Sequence, residues 1–111
     1  MNSDKFIAVA TDKDCEVWKR HFGITYSFSL FDMNGNFTKE IKNPYAITEY
    51  GQEHQSKPDL IVELLPQCNV FIGKKMGKDS FEIIKEKLGI TPFITSKKAP
   101  LDAVKEYFAK Q

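Results

Sequence analysis

The sequence predicts a three-layer α/β/α domain on a mixed five-stranded sheet, in the order βββαβαβα with strand two antiparallel, and three observations carry that prediction. Residues 6–10, Phe-Ile-Ala-Val-Ala, form the unbroken apolar run of a strand buried on both faces. Asn34-Gly35 sits between two further strand-like runs, as a hairpin turn requires. In the second half, apolar runs of strand length alternate with stretches of helical spacing, which reads as crossover connections.

Strand one covers residues 5–11. Residues 25–32 alternate Tyr26, Phe28 and Leu30 with Ser27 and Ser29, the period-two pattern of a strand covered on one face. Met33-Asn34-Gly35-Asn36 supplies the turn, because Asn-Gly tolerates positive φ, and residues 37–41 return as strand three. Asn43-Pro44 closes that strand, and a polar stretch over 48–57 leads to Ser56 and Pro58, start signals for a first helix with Leu60, Ile61, Leu64 and Leu65 on its apolar face. Pro66 ends it. Residues 68–73 read as a buried fourth strand, followed by the Lys74-Lys75-Met76-Gly77-Lys78 loop. Asp79 or Ser80 caps a second helix on which Phe81, Ile84 and Leu88 recur at helical spacing, with Gly89 as its stop. Residues 90–95 form strand five, placed at an edge by Pro92, which cannot donate to a ladder. Pro100 opens a last helix with Leu101, Val104, Tyr107 and Phe108 facing inward.

At 111 residues and 41% apolar content, the chain is sized for a single domain over 1–111 that folds without staples. A net charge of +1 gives no broad electrostatic footprint for nucleic acid. No apolar signal core opens the chain, and no run approaches the roughly 18 apolar residues of a membrane span, so the expected setting is the cytoplasm. Two cysteines are too few for a secreted disulfide framework.

Strand direction sorts the chemistry. With strand two antiparallel, strands one, three, four and five all end on one rim, which gathers Cys15, His21, His54, Lys74, Lys75, Met76, Lys97 and Lys98 from the loops 12–24, 42–57, 74–78 and 95–99. Ligands of open α/β sheets favour that carboxyl edge. Cys68 opens strand four and so falls at the opposite rim. Cys15 and His21 are soft-metal ligand types, and Gly23 permits the turn that would bring them together. No Cys-x-x-Cys pair supplies the four ligands of a closed zinc site, and a site with one to three protein ligands leaves positions for a cluster's own atoms or an exogenous ligand. The lysines suit an anionic cargo. Against these stand plainer readings: packing for Cys15 and Met76, an idle surface side chain for His54, and solvated loop charge for the lysines.

On Ile7-Ala8-Val9-Ala10-Thr11-Asp12, on His21-Phe22-Gly23, on the Gly-Lys-Lys-Met-Gly turn at 73–77, and on the short Gly-Ile-Thr-Pro strand before the C-terminal helix, the chain resembles the dinitrogenase iron-molybdenum cofactor binding and biosynthesis family. The resemblance covers almost the whole length and implies a ribonuclease H-like fold. It implies a non-enzymatic binder or carrier of iron-molybdenum cofactor, or of an iron-sulfur cluster precursor, in the metallocluster assembly of nitrogen fixation. His21 matches the family's loop histidine and becomes the leading ligand, ahead of Cys15; His54 falls where relatives often carry a histidine. Trp18, Lys19 and Arg20 make the approach bulkier and more basic than in relatives, and Lys74-Lys75 stand where small residues are common. The expected partners are cluster donor and acceptor proteins, and the expected state is a monomer or weak homodimer.

Two other classes remain in view. One is a metal-free protein-interaction module using the same rim. The other is a metal-dependent nuclease or phosphohydrolase, for which Asp12 and Asp14 follow strand one but no Asp or Glu lies in strands four or five.

Overall fold

The computed structural model describes residues 5–22, 25–44, 62–65, 67–76 and 81–110. Its strands are β1 (Phe6–Thr11), β2 (Ser27–Asp32), β3 (Phe37–Lys42), β4 (Cys68–Gly73) and β5 (Thr91–Ile94). They form one sheet in the spatial order β3-β2-β1-β4-β5. β2 runs antiparallel to both β1 and β3, whereas β4 runs parallel to β1 and to β5. The α/β class, the mixed sheet and the shared rim are therefore as the sequence predicts.

Side-chain alternation divides the core into two layers. Ile7, Val9, Phe31, Val70 and Ile72 meet Ala103, Val104 and Tyr107 of the C-terminal helix, Pro100–Ala109. On the other face Ala8, Ala10, Phe28, Leu30 and Phe71 meet Leu65, Ile84 and Ile90. No described helix is long and apolar enough to cross a membrane.

Both sheet edges are guarded. Thr95 N–H donates to the Gly73 carbonyl over 2.9 Å. Strand amides alternate in direction, so Thr91 and Phe93 also turn theirs to β4, and the missing N–H of Pro92 falls on the open side. At the far edge β3 exposes Lys39, Glu40 and Lys42, charges that discourage further strand pairing. The hairpin between β2 and β3 is held by Asp32, whose Oδ1 accepts from the N–H of Asn34 at 2.9 Å and of Asn36 at 3.0 Å. These backbone hydrogen bonds, that from Asn36 foremost, hold the carboxyl below its usual range. Gly35 takes a φ of +88°, as the Asn-Gly turn requires.

Three local expectations are corrected. β2 is buried on both faces rather than one, because the hydroxyls of Ser27 and Ser29 find partners inside: Thr11 Oγ1 lies 3.0 Å from Ser27 Oγ and 3.3 Å from Ser29 Oγ. Ser27 Oγ also donates to Glu40 Oε2 at 2.7 Å. The second helix widens into a π-turn over Ile83–Lys87, where Leu88 N–H reaches the Ile83 carbonyl at 3.1 Å, five residues back. Leu101 is 44% exposed. The buried face of the last helix centres on Ala103, Val104 and Tyr107, and at 3.6 residues per turn Leu101 stands about 110° away from it. Pro100 does occupy the first turn. Of the first helix, residues 62–64 are helical; its start signals and His54 lie outside the described residues.

Candidate functional site

The carboxyl rim is built on the segment after β1. Asp12 Oδ1 accepts the N–H groups of Asp14 at 2.9 Å and Glu16 at 3.0 Å, while Asp12 N–H reaches the Glu16 carbonyl at 2.8 Å. This closes a tight turn that carries Cys15, exposed and at a left-handed φ of 66°. Such turns use Asp because its short carboxylate reaches its own backbone two residues on.

The chain then crosses the end of the sheet. Val17 bridges Thr11 and buries its side chain with the C-terminal-helix layer, while Trp18 and Phe22 pack into the opposite layer. Trp18 N–H holds the Ala10 carbonyl at 2.9 Å. Phe22 is 3% exposed, with its ring stacked 4.7 Å from Phe71 and tilted 5.1 Å from Phe28. This burial puts the preceding residue, His21, on the surface of the rim.

Two neighbouring segments fasten this loop. His21 pairs in parallel with Lys75, and Phe22 N–H donates to the Lys75 carbonyl at 2.9 Å. On the other side Val17 N–H donates to the Lys98 carbonyl at 2.8 Å, and Lys98 Nζ lies 3.5 Å from Glu16 Oε2. Thr25 adds a third tie, donating from Oγ1 to the Thr11 carbonyl at 2.8 Å and accepting on its own carbonyl from Asn43 Nδ2 at 2.9 Å. Segments following β1, β3, β4 and β5 thus share one hydrogen-bonded rim.

The predicted site residues distribute unevenly over it. His21 stands beside Lys75, which is exposed, and next to Lys74 and Met76, which are half-buried; Met76 packs against the core. The turn of Cys15 is fastened towards β5 rather than β4, and Lys97 N–H is held there by Thr95 Oγ1 at 3.0 Å. Lys98 is engaged with Glu16 in a surface pair, which is weak in water. Among the described residues no three His, Cys, Asp or Glu side chains gather as a metal site would need. Cys68 lies buried at the opposite rim, where desolvation pushes its thiol up to about 12 against the opposing charge of Lys39.

One feature at the rim had no specific signal in the sequence. The indole Nε1 of Trp18 is buried without a hydrogen-bond partner among the described residues. Buried donors are nearly always paired, which marks Trp18 among the residues of this loop.

The fold recurs in solved structures. An NMR structure of a Thermotoga protein, provisionally named a NifB protein and placed in the DUF35 family, superposes with a TM-score of 0.66 at 17% identity, covering 96% of this chain and 88% of that one. The crystal structure of the protein PH0822 gives a TM-score of 0.66 at 20% identity, covering 96% of this chain and 90% of that one. At these identities the likeness concerns the fold. No curated protein matches the chain. The sequence profile of the dinitrogenase iron-molybdenum cofactor family matches residues 4–110, and with nearly its whole length inside that match the chain belongs to this family.

Proposed function

We propose that the protein is a non-enzymatic binder that holds iron-molybdenum cofactor, or an iron-sulfur cluster precursor, on its carboxyl rim during transfer between a donor and an acceptor protein. Family membership supports a role connected with the cofactor. The observation that carries the site is the pairing of exposed His21 with Lys75, which sets an imidazole beside the cationic Lys74-Lys75 turn. An imidazole suits iron, and the ammonium groups suit the negative charge of a sulfide-rich cluster. Cys15, Met76 and His54 complete the candidate donors.

The sparse ligand set fits such cargo. A cluster brings most of its own ligands, so a rim with one or two soft donors suits temporary holding rather than permanent insertion. Hydrolysis through clustered carboxylates has little support, since Asp12 already uses Oδ1 to hold its own turn.

The test is anaerobic addition of isolated iron-molybdenum cofactor, or reconstitution with iron and sulfide, to the purified chain. Charge-transfer absorption is expected to co-elute with the protein. His21→Ala is expected to weaken binding about tenfold or more, a change of about 1.4 kcal/mol or more. Absence of bound cluster under both loading conditions would sink the reading.

A further inference from the structure

Gly73 ends β4 with an ordinary backbone, since positive φ among the described glycines falls on Gly35 and Gly89. Its lack of a side chain therefore answers to space rather than to conformation. A Cβ built there would stand 3.2 Å from Phe22 Cδ1, 3.6 Å from Phe22 Cβ and 3.8 Å from Phe22 Cγ. The shortest of these is tighter than an ordinary carbon contact, so the ring would have to withdraw by a few tenths of an ångström. It has little room to do so, because Phe71 and Phe28 hold it at 4.7 and 5.1 Å.

The same residue meets the other rim segments. The Gly73 carbonyl accepts from Thr95 N–H, and Lys74-Lys75 follow directly in the chain. Phe22 in turn donates its N–H to Lys75, with His21 one residue away. Moving the Phe22 ring therefore moves the backbone that carries His21.

We propose that Gly73 is a positioning residue: by admitting the Phe22 ring against the end of β4, it sets the place of His21 beside the Lys74-Lys75 turn. The inference deepens the binding role proposed for His21 and rests on it for functional meaning, while its geometric content is tested without cargo. Gly73→Ala is compared with Gly73→Ala/Phe22→Leu, whose flexible side chain can turn away from the new methyl group. In Gly73→Ala the Phe22 amide is expected to exchange with solvent about tenfold faster while amides of β1 keep their protection, as for a local opening. The His21 imidazole resonances are expected to shift, and the double variant is expected to restore both signals.

Unchanged Phe22 exchange and unchanged His21 resonances in Gly73→Ala would overturn the proposal. If Gly73→Ala fails to fold, recovery of the fold in the double variant supports it, and continued failure overturns it. Cofactor loading separates the two ideas. Should the amide and imidazole signals respond while His21→Ala still binds isolated iron-molybdenum cofactor at full strength, the positioning holds and the binding role of His21 falls.

Discussion

Phe22 donates its backbone N–H to the carbonyl of Lys75 over 2.9 Å, although 53 residues separate them in the chain. The bond turns two loops into one surface. His21 faces solvent because the next side chain is locked into an aromatic cluster, and Lys75 is held opposite by its own backbone. A ligand on this rim would meet an imidazole and an ammonium whose main-chain supports are already joined, which reduces the ordering cost of binding.

The two cysteines should separate cleanly by reactivity. Cys15 is exposed on its turn, whereas Cys68 is buried with a thiol pushed up to about 12. The thiolate is the reactive form, so iodoacetamide at mild alkaline pH should label Cys15 in the folded protein and Cys68 only after unfolding. The same shift sets a pH dependence. The folded protein holds the Cys68 proton more tightly than the unfolded chain, so this contribution to stability is complete below the ordinary value of 9.0 and is lost as pH rises towards about 12. Mass spectrometry of the labelled native protein checks the first claim, and denaturant titrations across that alkaline window check the second.

Thr11→Val should be costly for so small a change. Thr11 Oγ1 is within hydrogen-bonding distance of Ser27 Oγ and Ser29 Oγ, and the three residues are buried. Valine keeps the shape but leaves serine hydroxyls short of a partner, so a loss of roughly 1–3 kcal/mol is expected in chemical denaturation. The added change Ser29→Ala should recover part of it, because removing both members of a buried polar pair costs less than removing one. A Thr11→Val protein as stable as the parent would show that the hydroxyls satisfy one another without it.

What the sequence shows of this fold is what depends on near neighbours. The apolar run of β1, the Asn34-Gly35 turn and the edge position imposed by Pro92 each follow from a few adjacent residues. The burial of Ser27 and Ser29 does not, because it depends on Thr11, 16 and 18 residues away. The π-turn is hidden for another reason: Phe81, Ile84 and Leu88 fit a wide turn as readily as an ordinary one. At the rim, residue types and strand directions disclose which loops meet. The bonds that tie His21 towards Lys75, and Cys15 towards Lys98, run between backbone groups that every residue carries, so no pattern announces them.

Cys15 is best tested by glycine rather than alanine. Its φ of 66° lies in the left-handed region, where a Cβ is strained and glycine is not. Cys15→Gly trades that strain against greater freedom of the unfolded chain, and stability should stay within about 1 kcal/mol of the parent. Cys15→Val, branched at Cβ, should lose about 1–2 kcal/mol more. With the turn preserved in Cys15→Gly, a fall in affinity for isolated iron-molybdenum cofactor reports on the thiol itself, and an undiminished affinity removes Cys15 from the ligand set.

Trp18 offers a direct view of the rim because it is the chain's single tryptophan. Its indole N–H is buried without a partner among the described residues, and a buried donor left wholly unpaired costs about 1–3 kcal/mol. Trp18→Phe removes that donor while keeping an aromatic ring against the core, so lost packing and the removed penalty offset each other, and stability should fall by no more than about 1 kcal/mol. Trp18→Ala forfeits the packing as well and should lose about 3–5 kcal/mol. A loss of several kcal/mol in Trp18→Phe would mean that the N–H has a bonding role after all. In the parent protein, tryptophan emission comes from three residues before His21, so an iron-bearing cluster held at His21 should quench it in step with loading. Loading that leaves the emission untouched would place the cluster away from this loop.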